Sequence, residues 1–187
     1  QFANLYQGKE KVKMSTRSGS FYTLKDLIKE IGVDAARFYY LSKQADQHLD
    51  FDIELAKSQN KENLIFYIQY AHARIVSLQN KYIESNGLIS NNLESIENGS
   101  YIACDKLIHE ASKFPGIVQR SSETLQPHLI VFYLRDVAHL FHSFYNNNPI
   151  LKESMDNQKS ILSSLSLIKL VISNGLDLLG IEAVDKM

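Results

Sequence analysis

The chain has 187 residues, enough for one domain or a domain with part of another. With 44% hydrophobic and 22% charged residues it has globular values, which argue against a disordered tail or a membrane protein, and its longest unbroken apolar run, Leu129 to Leu134, falls far short of the roughly 20 residues of a bilayer span. A net charge of −1 gives no overall sign of nucleic-acid binding, so any such binding must be local. The single cysteine, Cys104, makes neither an internal disulfide nor a thiolate metal site, and a reducing, cytoplasmic setting fits it. The sequence starts at Gln1 in mid-pattern, which suggests a fragment, with no signal peptide in view.

Residues 1–22, with Gly8 and Gly19 and no helical period, read as loop and short strand. They carry a basic run, Lys9, Lys11, Lys13 and Arg17 against Glu10 alone, a local charge of +3 that also suits a solvated loop. Thr23 with Asp26 three positions on predicts a capped helix ending at Gly32, and Asp34 a cap for the next one. From Asp46 to Asp52, acids alternating with His48, Leu49 and Phe51 look like a connection.

Helical periods follow. Leu64, Ile68, Ala71, Ile75, Leu78 and Tyr82 form one stripe spaced by fours and threes. Residues 86–100, rich in Asn, Ser and Gly, read as a loop or weak insertion. A helix through Ala103, Leu107, Ala111 and Phe114 is expected to break at Pro115-Gly116, with a short segment from Ile117 to Leu125 after it. Pro127 opens a helix with Leu129, Tyr133, Val137, Leu140 and Phe144 on its apolar side and His128, Arg135, His139, His142 and Asn146 on a polar, solvated one. Ile161, Leu165, Ile168 and Ile172 mark a last helix, loosened at Asn174-Gly175 and closed by Gly180. From about residue 57 the fold is therefore all-α, a helical bundle.

Two rings and two cations share a flank of the first long helix. Tyr67, Tyr70, Arg74, Ser77 and Lys81 lie about a quarter turn from its apolar stripe, an arrangement that suits stacking on single-stranded bases and equally suits half-buried tyrosines with solvated hydroxyls. His139 and His142 have no carboxylate or Cys at ligand spacing on their face, so no metal site is expected. Lys113 and Arg120 are able to reach phosphates or to form surface ion pairs.

Lys13-Met14-Ser15-Thr16-Arg17 resembles the K-M-S-K-S signature of class I aminoacyl-tRNA synthetases, with Thr16 where the second Lys is expected and Arg17 where Ser is. Tyr67-Ile68-Gln69-Tyr70-Ala71-His72-Ala73-Arg74 resembles the Y-x-Q-Y-A-H-x-R run of arginyl-tRNA synthetases, and the ending from Leu176 to Glu182 followed by Met187 is similar to that family's C-terminus. Together with Leu125-Gln126-Pro127-His128 and Phe144-Tyr145, the resemblance covers nearly the whole chain in order.

The resemblance implies a Rossmann-type catalytic domain, here only its loop-rich end (residues 1–56), followed by a helical anticodon-binding domain (residues 57–187). It implies an ATP-dependent arginine–tRNA ligase using Mg2+, with tRNA(Arg), ATP and arginine as partners, monomeric and cytoplasmic. Lys13 and Arg17 are then the catalytic cations, with either Arg17 or a Lys from the absent part of the catalytic domain standing in for the second signature Lys, and Lys13, Met14, Ser15 and Thr16 the ATP contacts. Tyr67, Tyr70, Arg74, Tyr145 and Met187 are the anticodon contacts by the same resemblance. No H-x-G-H pair and no glycine-rich nucleotide loop is present, so the chain by itself is expected to form no adenylate and to hold no cofactor. The alternative is a non-catalytic helical RNA-binding or interaction module derived from a synthetase.

Overall fold

A computed structural model describes residues 3–12, 22–87 and 101–187, with side chains from residue 104 onward in the last stretch. The signature-like run Lys13, Met14, Ser15, Thr16 and Arg17, Gly19, and the loop expected over most of 86–100 lie outside the described residues.

Residues 3–12 form a hairpin: β1 (Ala3–Gln7) pairs antiparallel with β2 (Glu10–Lys11) around Gly8, which takes φ +62. The stretch from Asp46 to Asp52 is more than a connection. Its second half is β3 (Leu49–Asp52), running parallel to β1 with Ala3 opposite Leu49 and Tyr6 opposite Asp52, so the sheet order is β2-β1-β3. A parallel pair needs a long crossover, and α1 (Leu24–Ile31) and α2 (Val33–Leu41) supply it. Leu49 and Phe51 point inward with Leu5, Leu27, Ile53 and Ala56 to make a small core of their own. The hairpin of residues 3–12 is thus packed against the rest of its own chain, Leu5 being only 5% exposed.

Thr23 caps α1 as expected. Its hydroxyl accepts from the Asp26 N–H (3.1 Å) while the Asp26 carboxylate accepts from the Thr23 N–H (3.1 Å). α2 differs: Gly32, at φ +86, occupies the cap position, and the Asp34 carboxylate turns elsewhere. Asp52 ends β3 and caps α3 (Ile53–Lys57), accepting from the N–H groups of Glu54 and Leu55, and from that of Gly8 in the hairpin turn.

The bundle comprises α4 (Leu64–Asn86), α5 (Tyr101–Ser112), α6 (Phe114–Thr124), α7 (His128–Asn147) and α8 (Met155–Leu178), with a 3-10 turn at Ile150–Lys152. The expected stripe on α4 is buried from Ile68 to Tyr82. α5 stops at Ser112, earlier than expected, and Pro115 sits in the first turn of α6, where its missing N–H costs nothing; the segment from Ile117 onward is helical. The Lys113 ammonium pairs with the Glu110 carboxylate (2.6 Å).

α7 packs on α4, α5, α6 and α8 at once, so its buried face is wider than one stripe. It takes in Ile130, Val131, Leu134, Ala138 and Phe141 besides Tyr133 and Val137. The same width buries His128 and His142 to 5% and 6% exposure, against the expectation of solvated histidines.

α8 is, among the described residues, the one helix long and apolar enough by length and composition to cross a membrane, although Ser164, Ser166 and Lys169 break its apolar sequence into short runs. Its apolar side, Ile161, Leu162, Leu165, Ile168, Ile172 and Leu176, fills the bundle core. Across the α4–α8 seam the buried Gln79 amide donates to Ser166 Oγ (2.7 Å) and accepts from Lys169 Nζ (2.9 Å), so both its nitrogen and its oxygen have a partner. Asn174-Gly175 does not loosen α8: a Cβ at Gly175 would stand 2.6 Å from Leu134 Cδ2, so the glycine permits close approach of α7 and α8.

Candidate nucleic-acid interface

Where α4 meets the end of α7 and the last residues of the chain, a cleft of about 820 Å³ opens, lined among others by Tyr67, Tyr70, Arg74, His142 and Met187. A second cleft, of about 390 Å³, adjoins it and shares Tyr70, Arg74 and Met187 while adding Ser77, Lys81 and Tyr145. The expected flank of α4 and the two expected residues from far along the sequence therefore converge on one surface. Met187 is half exposed at its rim.

Arg74 is the centre of this surface. Its guanidinium carbon lies 4.5 Å from the centroid of the Tyr70 ring and 4.3 Å from that of Tyr145, and one Nη donates to the Tyr70 hydroxyl (2.8 Å). A cation between two ring faces is held by both quadrupoles, each worth about 0.5–1 kcal/mol at a partly exposed site. Tyr70 in turn stacks on Phe66 (5.9 Å, 17°). Around the cleft stand Lys61, Lys81 and Lys186, with Asp185 the carboxylate among them, so the rim is cationic although the chain as a whole is not.

His142 was missed as a participant because its place in the sequence assigned it to a solvated face. Its Nε2–H donates to the Tyr67 carbonyl (3.1 Å), and Arg74 Nη1 lies 3.4 Å from Nδ1. Arginine only donates, so Nδ1 must accept, and the imidazole is the neutral Nε2–H tautomer. Burial above all, with the charge of Arg74 adding to it, pushes the His142 pKa below the ordinary imidazole value, against the upward pull of the bond to Tyr67.

The sign of the pH effect follows. The unfolded chain takes up a proton on His142 near pH 6.5, the folded one only at lower pH. Stability is then full above about pH 6.5 and falls as the pH drops through the folded value. Protonation also makes Nδ1 a donor facing Arg74, with His139 on the same helix as a further nearby titratable group. An NMR titration of the His142 ring should give a midpoint below 6.5, and a midpoint at or above that value would refute the assignment.

The run from Tyr67 to Arg74 divides its labour by helical face. Tyr67, Tyr70 and Arg74 turn to the cleft. Gln69 and the buried His72 turn to the chain's end, where the Gln69 amide donates to the Glu182 carbonyl (2.8 Å) and His72 Nδ1–H to that of Val184 (3.0 Å). Among the described residues no three of His, Cys, Asp and Glu come together as a metal would need.

Residues 68–187 match the model of the DALR anticodon binding domain. The chain belongs to this family. Over its whole length the DALR-containing chain is 43% identical to an arginine–tRNA ligase of Coxiella burnetii and 44% identical to one of Acidithiobacillus ferrooxidans. It spans 32% of the length of each of these relatives, in their C-terminal part. A crystal structure described as an arginyl-tRNA synthetase from Campylobacter jejuni superposes with a TM-score of 0.85 and 32% identity, covering all of this chain and 40% of that one. The arginyl-tRNA synthetase of Thermus thermophilus, at 23% identity and a TM-score of 0.69, shares the fold over 92% of this chain.

Proposed function

We propose that this chain is the anticodon-reading part of an ATP-dependent arginine–tRNA ligase, residues 57–187 forming the anticodon-binding domain and residues 1–56 the end of the catalytic one. The observation that carries this is the Arg74 guanidinium set between the rings of Tyr70 and Tyr145 at a cation-rimmed cleft. Single-stranded bases are bound by stacking on rings and guanidinium planes and by hydrogen bonds to their edges. The cleft offers both, and Lys81 and Lys186 lie at its rim for the phosphates. In this reading Tyr67, Tyr70, Arg74, Tyr145 and Met187 contact the anticodon loop. Lys13 and Arg17 contribute charge to the phosphates of ATP and its Mg2+, with Met14, Ser15 and Thr16 beside them. The whole protein acts as a cytoplasmic monomer on arginine and tRNA(Arg).

Arginine codons are read by anticodons whose middle base is cytosine, so that base is the expected determinant. The test is competition binding with a short RNA hairpin whose loop carries an arginine anticodon. Changing the middle cytosine to uracil should weaken binding about 10-fold, the scale of a polar group left unpaired. Equal affinity for the two hairpins would overturn the reading.

A further inference from the structure

The residues after α8 are fastened from two directions. α8 closes in a Schellman motif, with the Ile181 N–H donating to the Leu176 carbonyl (2.9 Å), the Gly180 N–H to that of Asp177 (2.8 Å), and Gly180 at φ +66. Ile181 then enters the bundle core, and the chain continues past Gln69 and His72 of α4 to the cleft. The other attachment comes from α2, about 140 residues upstream. The Arg37 guanidinium donates to the Gly180 carbonyl, and the Asp34 carboxylate, free because it does not cap its own helix, accepts from the Glu182 N–H (3.0 Å). Asp34 and Arg37 are three apart and so share a helix face. Both grip main-chain atoms, which fixes the path of the segment whatever its side chains do. Gly180 leaves room for this: a Cβ there would meet the Arg37 guanidinium. α2 also lies outside the residues matched by the DALR model, so the wall of the cleft made by the chain's end is held from beyond that domain.

We propose that Asp34 and Arg37 are positioning residues for RNA binding, which fix the path of residues 180–187 and thereby set Lys186 and Met187 at the cleft. The inference rests on the cleft being the anticodon site. Neither residue is in the core, Asp34 being half-buried and Arg37 exposed, so their replacement leaves the fold standing. In the full-length protein, Asp34→Ala and Arg37→Ala should each raise the Michaelis constant for tRNA about 3- to 10-fold, the worth of one hydrogen bond, with kcat and the Michaelis constant for ATP unchanged. Asp34→Asn keeps an acceptor oxygen and should recover most of the loss. Amide hydrogen exchange over residues 183–187 should quicken in the two Ala variants and not in Asp34→Asn.

Arg74→Ala, run in the same assay, separates the possible failures. If Arg74→Ala impairs tRNA use and the α2 variants do not, the positioning role is overturned and the anticodon reading stands. If none of the three does, the reading falls and the positioning role with it. A rise in the Michaelis constant for ATP equal to that for tRNA, or an Asp34→Asn variant as impaired as Asp34→Ala, also overturns the positioning role.

Discussion

Tyr145→Ala in the full-length protein should raise the Michaelis constant for tRNA about 10- to 100-fold, the value of one base stack at roughly 1 to 3 kcal/mol, and leave that for ATP alone. The competing account is burial, since truncating a fully buried aromatic costs about 3 to 5 kcal/mol of folding stability. In the structure the Tyr145 ring is half-buried, with one neighbour the Arg74 guanidinium at 4.3 Å and another Phe141 at 6.0 Å between centroids. The stability loss should therefore fall well short of the fully buried figure. Tyr145→Phe keeps both the ring and its cation contact, so it should retain most tRNA use. Arg74→Ala and Tyr145→Ala should combine to less than the sum of their separate effects, because each removes the other's partner. Melting curves and arginylation kinetics on the same variants decide: a large fall in stability with normal kinetics would sink the anticodon role.

Local information carried much of this surface. Tyr67, Tyr70 and Arg74 were legible because residues three and four apart on a helix must share a face, and nothing downstream alters that. Tyr145 and Met187 lie 71 and 113 positions beyond Arg74, and no local rule brings them to it; only the family resemblance pointed there. His142 was misread for a related reason. Periodicity gives one apolar stripe per helix, whereas α7 is covered by several neighbours, α4, α5, α6 and α8 foremost, and the extra coverage turns a nominally polar position into a buried one whose partners are a main-chain carbonyl and an arginine.

β3 was missed on the same ground. Four residues alternating in and out gain nothing alone and become a strand only beside β1, 46 positions away. Asp34 has the right residue type for a helix cap and the right place in the sequence. It instead bonds the Glu182 N–H, 148 positions away, and Gly32 at positive φ takes over the helix start.

Phe141→Ala should be a severely damaging change to the bundle, and its cost reaches the cleft. The ring is fully buried, so its truncation should cost about 3 to 5 kcal/mol, a fall of about 6 to 20 °C in melting temperature for a domain of this size. The ring also backs two residues of the site, with centroids 5.4 Å from His142 and 6.0 Å from Tyr145. Removing it leaves a void behind both, and the geometry that holds Arg74 between Tyr70 and Tyr145 loses its backing. Hairpin binding below the melting temperature should therefore weaken as well. Phe141→Leu separates the two consequences: it keeps most of the volume and should cost less than about 2 kcal/mol, yet it lacks the flat ring face against Tyr145 and His142. Loss of RNA affinity in Phe141→Leu with a nearly normal melting temperature would show that the core ring orients the site. Normal affinity in both variants would show that Arg74, Tyr70 and Tyr145 keep their arrangement without it, and a melting temperature unchanged in Phe141→Ala would contradict the packing of α7 itself.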